Sequence, residues 1–182
     1  MFGATAAERL AIQSWRLEIE SWISAKAHRV SAEKWGSWYY GLGVPAAVTA
    51  GVASLSVLAD AGKWVVAGFA IASAALSTLV TFLRPDAESS GHRIAAAEYR
   101  ALQEDLHEFW TDTCLSDVDE QTLRKEFREL KVRWKQLERA GPHVIDSRYK
   151  KAKKAVMDDL RERGRLECYE EAVSRAPAGY PP

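Results

Sequence analysis

The chain has 182 residues, with 25 Lys and Arg against 25 Asp and Glu, and 47% of its residues are hydrophobic. That length fits one domain, or one small domain with an appendage, and excludes a large multidomain enzyme. The balanced charge argues against a general nucleic-acid binder, which is normally strongly basic. Two cysteines, Cys114 and Cys168, are too few for a disulfide scaffold or a four-ligand zinc site.

The N-terminal segment, residues 1–34, is predicted to form one long amphipathic helix from about Thr5. Thr5 is placed to cap this helix, with Glu8 three residues later, as in a capping box. Apolar residues recur at spacings of three and four and form one stripe: Ile12, Trp15, Ile19, Trp22, Ile23 and Val30. The stripe either packs on the protein's own cytoplasmic helices or lies on a membrane surface.

Two runs, residues 35–59 and 64–83, contain no Asp, Glu, Lys, Arg or His. A helix needs about 20 apolar residues to cross a hydrocarbon core of about 30 Å, and both runs reach that length. A buried hairpin in a soluble bundle is the alternative, but two adjacent charge-free runs of this length are rare in soluble folds. We therefore predict two transmembrane spans, about 38–59 and 64–83, in a tight hairpin over residues 35–84.

The edges of the two runs predict an interface and an orientation. Aromatic and basic side chains favour the headgroup zone, and the candidate anchors are Trp35, Trp38, Tyr39, Tyr40, Trp64 and Arg84. The outer flanks of the hairpin carry most of the nearby basic residues, whereas the connecting turn carries only Lys63. By the positive-inside tendency, both termini are expected in the cytoplasm.

Glycine and proline crowd the start of the first span, at Gly36, Gly41, Gly43 and Pro45. Proline removes one backbone donor and crowds the carbonyl four residues earlier, so a kink or break is predicted near Gly41. Such a feature is either a hinge that transmits movement into the membrane or a static bend at the interface.

Small and hydroxyl-bearing residues repeat every four positions inside the spans. Gly43, Ala47 and Gly51 form a face that lets two helix backbones approach closely in lipid. In the second span, Ser73, Ser77 and Thr81 form a hydroxyl stripe. These hydroxyls either bond back to carbonyls of their own helix or face a polar lumen. Because two spans cannot enclose a conduit, a lumen requires a homo-oligomer.

Residues 85–175 are predicted to form a cytoplasmic helical region, followed by a flexible tail over residues 176–182. Arg84-Pro85 ends the second span, and Ser116 caps a later helix that has Asp119 in its first turn. The four predicted helices cover about 90–113, 117–139, 147–163 and 165–175. No alternating strand pattern occurs, so the fold class is an all-α membrane protein.

A search for catalytic or metal-binding motifs finds no phosphate loop, no dinucleotide fingerprint and no zinc or di-iron ligand set. Glu104 and His107 form a single Glu-x-x-His, but di-iron bundles need two copies and two further carboxylate helices. We interpret this pair as one turn of a surface helix. The sequence therefore predicts a protein that is not an enzyme and has neither a cofactor nor a metal.

One helix of the C-terminal region carries the densest basic patch, with Arg148, Lys150, Lys151, Lys153 and Lys154. Such a patch either binds an anionic ligand or acidic lipid headgroups, or is simply a solvated helix face. The nearby acids Asp158, Asp159 and Glu162 favour the solvated face.

The layout resembles the SLATT family, the two-span effector domains found beside SMODS nucleotidyltransferases and SLOG proteins in bacterial defence loci. The similarity covers an amphipathic helix leading to Trp35-Gly36-Ser37-Trp38-Tyr39-Tyr40, the tight hairpin, Arg84-Pro85, and the helix from Gly91 to Leu102. The resemblance implies pore formation or disruption of the bacterial inner membrane, which arrests or kills the infected cell. It also implies membrane lipid as a partner and a signal from a nucleotidyltransferase or another protein of a defence operon.

Two functions from different classes remain open at the level of sequence. In the first, the protein is an effector whose cytoplasmic helices respond to a signal and whose spans make the membrane permeable. In the second, a non-conducting hairpin anchors a helical scaffold that recruits a soluble signalling partner. Neither function calls for a nucleic-acid partner.

Overall fold

The computed structural model describes residues 6–58, 62–114 and 118–174, and these residues contain helices and connections but no strand. The helices in these stretches are α1 (Ala6–Leu58), α2 (Lys63–Leu83), α3 (Pro85–Glu108), a π-helical turn (Phe109–Thr113), α4 (Glu120–Ala140), α5 (Asp146–Glu162) and α6 (Leu166–Ser174). The predicted all-α fold class is confirmed. The predicted cap Thr5, the turn residue Asp60 and the tail 176–182 lie outside the described residues.

The chain divides into two compact units. The helical unit comprises the described residues of Met1–Val30 and His92–Pro182, and the hairpin unit is Ser31–Gly91. The hairpin unit therefore holds the C-terminal part of α1, all of α2 and the first turns of α3.

Helix α1 is one continuous element from Ala6 to Leu58, with Pro45 inside it. The helix break predicted near Gly41 is wrong, since every residue from 36 to 45 is helical. Proline removes a single N–H donor, and a long helix retains the remaining hydrogen bonds on both sides of it. The predicted amphipathic helix and the first span are consequently parts of the same helix.

The N-terminal part of α1 lies between two apolar clusters of the helical unit. One cluster joins α1 to α3, the π-helical turn and α4, with buried residues Leu17, Leu102, Leu106, Phe109, Cys114, Leu123 and Phe127. The other joins α1 to α5 and α6 and contains Ile19, Ile23, Val156 and Leu160. No residue from 10 to 28 is exposed. The helix is therefore buried on more sides than the single predicted stripe requires, and its buried residues include Ser14 and Ser21.

The second apolar helix ends sharply, as the Arg84-Pro85 pair predicts. Arg84 adopts a left-handed conformation (φ 44°), and its N–H donates to the Val80 carbonyl at 3.0 Å. Pro85 then begins α3 directly. Within the same hairpin unit, the buried hydroxyl of Ser89 donates to the Ala32 carbonyl of α1 at 2.9 Å. The connection between α2 and α3 is thus one residue long, and α3 is tied back to α1.

The start of α4 differs from the prediction. The helix begins at Glu120, and Asp119 is its N-cap rather than a residue of its first turn. The Asp119 carboxylate accepts hydrogen bonds from the Thr122 side chain and from the N–H groups of Thr122 and Gln121, and these bonds lower its pKa. The predicted cap, Ser116, lies outside the described residues. An aspartate at this position satisfies the first free donors of the helix.

Candidate membrane-spanning site

Two helical stretches are long and apolar enough to cross a membrane, one within Ala6–Val57 and the other within Lys63–Thr113. In their most apolar 18-residue windows, only 6% and 0% of the residues are buried. The core helix of a soluble protein would be mostly buried over such a window. The outward apolar surface of these helices fits a lipid environment better than a soluble core.

The exposed side chains of the hairpin unit include large aliphatic and aromatic residues. They include Val44, Val48, Leu55, Val57, Phe69, Ile71, Leu79 and Phe82. Burying one such side chain is worth about 1.5–3 kcal/mol. A row of such side chains on a protein surface indicates that lipid or another protein covers this surface.

The predicted interface anchors lie near the ends of this apolar surface. Trp38, Tyr39 and Tyr40 are exposed, and the rings of Tyr39 and Tyr40 contact each other edge to face with centroids 5.4 Å apart. Trp64, in the first turn of α2, is 91% exposed, and Arg84 is exposed just after its last turn. Trp35 is half-buried. Amphipathic rings and a guanidinium favour the headgroup zones of a bilayer, and the role of these residues as anchors stays a prediction.

The small-residue face of α1 points away from α2. Ala47 and Gly51 are exposed and Gly43 is half-buried, and a Cβ added at either glycine would meet no described atom within 4 Å. Ala46, by contrast, is buried and marks the contact between α1 and α2. The face formed by Gly43, Ala47 and Gly51 is thus open to another helix within the plane of a membrane.

The predicted hydroxyl stripe is divided between two environments. The Ser73 hydroxyl donates across the hairpin to the Ala46 carbonyl at 3.2 Å. The Thr81 hydroxyl donates to the Ser77 carbonyl of its own helix at 2.9 Å, and both Ser77 and Thr81 are exposed. The stripe therefore begins at the contact between α1 and α2, at Ser73, and ends on the outer surface, at Thr81. The predicted bond from a hydroxyl to a carbonyl of its own helix is observed for Thr81.

The other sequence candidates lie in the helical unit. Lys150, Lys151 and Lys154 are exposed and Arg148 is half-buried on α5, whose opposite face buries Val156 and Leu160. Within the described residues, no group of three or more His, Cys, Asp or Glu side chains could hold a metal ion.

The two members of the Glu-x-x-His pair have separate partners. Glu104 pairs with Arg100 at 2.9 Å, and His107 lies 3.3 Å from the carboxylate of Glu18. The same Glu18 carboxylate accepts a hydrogen bond from the Trp110 indole at 2.6 Å. Sequence reasoning did not find this cluster, because Glu18 and Trp110 are 92 residues apart.

A buried histidine pair was also missed. The Nδ1 atoms of His28 and His92 lie 2.9 Å apart and share a hydrogen bond in which one ring donates and the other accepts. Burial, together with the neighbouring His92, lowers the pKa of His28 to about 4. The two residues are 64 positions apart, so no local motif marks them. Both residues belong to the helical unit and lie close to its boundaries along the chain: His28 is two residues before Val30, and His92 directly follows Gly91.

Comparison with known proteins gives one family. The model of the family described as SMODS and SLOG-associating 2TM effector domain family 4 matches residues 23–162, more than half of the chain. The matched range includes all of α2, α3, α4 and α5. The resemblance inferred from the sequence is confirmed. No curated protein and no solved structure matches the chain.

Proposed function

Because the chain belongs to family 4 of the SMODS and SLOG-associating two-transmembrane effector domains, we propose that it is a membrane effector of a bacterial anti-phage defence system. Its hairpin crosses the inner membrane, and both termini lie in the cytoplasm. On activation, several copies assemble and make the membrane permeable, which arrests or kills the cell. The protein performs no catalysis in this role.

The open small-residue face of α1 carries the proposal. With two spans per chain, a conduit needs several copies, and these copies need a surface on which transmembrane helices can approach closely. The face of Gly43, Ala47 and Gly51 offers such a surface, with open space at both glycines. Association through small residues is worth about 1–2 kcal/mol in membrane peptides.

The permeation path is edged by the exposed hydroxyl residues of α2. A wet lumen needs polar groups, because purely apolar walls tend to dewet and close. Ser77 and Thr81 lie on the outer surface of the hairpin and can supply these groups in an oligomer. The runs 35–59 and 64–83 have no charged side chain, so we expect weak selectivity between ions.

The activating signal reaches the helical unit. It is either a small molecule made by a nucleotidyltransferase or another protein of the same defence operon. The packing of this unit around the N-terminal part of α1 supports the assignment, because α1 is also the helix that enters the hairpin unit.

The decisive experiment alters the open face of α1. Gly51→Leu places a large side chain on this face and should weaken self-association in nanodiscs about 5- to 30-fold, the equivalent of about 1–2 kcal/mol. In cells, the same variant should blunt the collapse of membrane potential that follows triggering. Oligomer mass and a potential-sensitive dye measure the two effects.

Ala75→Leu is the matched control, since Ala75 is a small exposed residue of α2 that lies outside this face. It should leave both the oligomer and the depolarisation unchanged. If Gly51→Leu and Ala75→Leu behave alike, the open face does not mediate assembly. If triggered wild-type cells keep their full potential, the hairpin is a non-conducting anchor for a helical scaffold.

A further inference from the structure

The helical unit contains a cavity of about 400 Å³ between α1, α3, α4, α5 and the connection formed by residues 141–144. This volume falls within the range of about 300–1,000 Å³ for small-molecule sites. The side chains that characterise its lining are Glu20, His28, Tyr99, Trp134, Glu138 and Tyr149. They come from four helices, so the cavity exists only in the folded unit.

The floor of the cavity is closely packed. His28 and Tyr99 are 5% and 4% exposed, and their rings stack with centroids 5.5 Å apart. Gly141 brings its backbone against His28: an added Cβ would lie 3.0 Å from the Leu137 carbonyl and 3.5 Å from His28 Cε1. A side chain at this position would crowd the Leu137 carbonyl and contact His28 at van der Waals distance. Glu138 and Tyr149 are exposed at the mouth.

The ionisable lining of the cavity consists of two carboxylates, two tyrosines and the histidines His28 and His143. Glu20 and Glu138 line the cavity, and no Lys or Arg does so among the described residues. Arg16 pairs with Glu20 at 3.3 Å but does not line the cavity. Burial raises the pKa of Glu20 despite the charges of Arg16 and Lys153, and the neighbouring charge of Glu138 adds to the rise.

The two tyrosines of the cavity also respond to the carboxylates. Burial, and after it the carboxylates Glu20 and Glu138, raises the pKa of Tyr149. Burial and the charge of Glu138 raise the pKa of Tyr99 to about 12. His28 is neutral at pH 7, because its pKa is about 4. A cation entering the cavity thus meets negative charge at the wall and no opposing charge at the floor.

Three aromatic rings also line the cavity. Tyr99, Trp134 and Tyr149 line the cavity from three different helices. The negative face of an aromatic ring attracts a cation, and the attraction grows when the cation is removed from water. Rings combined with carboxylates thus recognise both the charge of an amine and the carbon stem that carries it.

We propose that this cavity binds a small organic ammonium ion, held by the carboxylates of Glu20 and Glu138 and enclosed by the rings of Tyr99, Trp134 and Tyr149. Anionic nucleotides are excluded from the site by the same carboxylates. The proposal concerns the helical unit alone and does not depend on whether the hairpin conducts.

Isothermal titration of the full chain in nanodiscs of zwitterionic lipid tests this site. Putrescine is the probe, and adenosine monophosphate at the same ionic strength is the anionic comparison. We expect saturable binding of one putrescine per chain and no heat from the nucleotide. Failure of putrescine to bind at millimolar concentration, or equal binding of the nucleotide, would overturn the proposal.

Three variants place the binding in the cavity. Glu138→Gln removes a charge at the mouth and should weaken putrescine binding about tenfold or more, since hydrogen bonds to charged groups are strong. Tyr149→Leu removes a ring and should weaken it about threefold to tenfold. Glu129→Gln alters an exposed carboxylate of the same helix outside the cavity and should have no effect. Equal losses in Glu129→Gln and Glu138→Gln would show surface attraction instead of a site, and circular dichroism confirms that each variant is folded.

Discussion

The helical unit and the hairpin unit are both built from helices that contain many apolar residues. The helical unit buries its large apolar side chains, whereas the hairpin unit exposes many of them. In the helical unit, Leu102, Leu106 and Val156 are fully buried. In the hairpin unit, Ile71 is 70% exposed and Phe82 is 84% exposed. Water-facing surfaces do not accumulate side chains of this kind in rows. The difference fits a membrane protein in which lipid covers the apolar surface of the hairpin unit.

Exposed hydroxyl groups of the hairpin unit bond locally, unlike the buried hydroxyl of Ser14 in the helical unit. The Ser14 hydroxyl in the helical unit donates to the Leu106 carbonyl at 3.0 Å, across 92 residues of chain. In the hairpin unit, the hydroxyls of Thr78 and Ser54 donate to carbonyls four residues earlier, at 2.8 and 3.0 Å. Where no water is present, a polar group must find a partner close by. Local bonds of this type are therefore expected on a helix that faces lipid.

The largest effect expected from this comparison is in the core of the helical unit. Leu106→Ala should lower the free energy of unfolding of this unit by about 2–5 kcal/mol, because it leaves a cavity at a fully buried site. Leu79→Ala, at a site of the hairpin unit that is 47% exposed, should change the free energy of unfolding by less than about 0.5 kcal/mol. Thermal unfolding in detergent, followed by tryptophan fluorescence, measures both values. Equal losses would contradict the division into an inward-packed and an outward-packed unit.

The next effect is a loss of stability in acid that arises from His28. Its pKa is about 4 in the fold and about 6.5 in the unfolded chain. The unfolded chain therefore binds the proton first, so the stabilisation is complete above pH 6.5 and is lost as the pH falls from 6.5 towards 4. Linkage gives a loss of about 2 kcal/mol between pH 7.5 and pH 5.

His28→Gln is the control for this pH effect. The variant cannot take up the proton at this position, so its melting temperature should fall less between pH 7.5 and pH 5 than that of the wild type, by about 4–8 °C. His92 and Tyr99 contact His28 from α3, Glu138 and His143 line the same cavity, and all four residues are the same in both proteins. Identical shifts in the two proteins would show that His28 does not cause the loss.

The smallest effect belongs to the hydrogen bond across the hairpin. Ser73→Ala removes the bond to the Ala46 carbonyl and should destabilise the hairpin by about 0.6 kcal/mol, the usual value for such bonds in membranes. Thr81→Val removes only a bond within its own helix and should cost less. Reversible unfolding in mixed micelles can resolve the two. A larger loss for Thr81→Val would indicate that the exposed hydroxyls already have partners outside the chain.

Sequence reasoning predicts the features of this protein that depend on local composition. The charge-free runs 35–59 and 64–83 predict two apolar helices, and Arg84-Pro85 predicts where the second one ends. Both follow from the chemistry of neighbouring residues. The continuity of α1 through Pro45 could not be predicted from the sequence. It depends on whether the packing of the whole helix offsets the cost of one missing hydrogen-bond donor.

The contacts between distant parts of the chain could not be predicted. His28 meets His92 because α1 packs against α3, and Glu18 meets Trp110 because α1 also packs against the π-helical turn that follows α3. The same holds for the cavity between four helices, where Glu20 and Glu138 carry no sequence motif. Ser73 is a further example. The spacing of Ser73, Ser77 and Thr81 predicts that they share a face of α2, but it does not predict that Ser73 bonds to the Ala46 carbonyl of α1.

The single-residue connection at Arg84 has a mechanical consequence for the hairpin unit. α2 is joined to α3 without slack, α3 is bonded to α1 through Ser89 and Ala32, and α1 is bonded to α2 through Ala46 and Ser73. These links form a closed ring of three helical segments. In a closed ring, one segment cannot slide without straining the hydrogen bonds that join it to the other two.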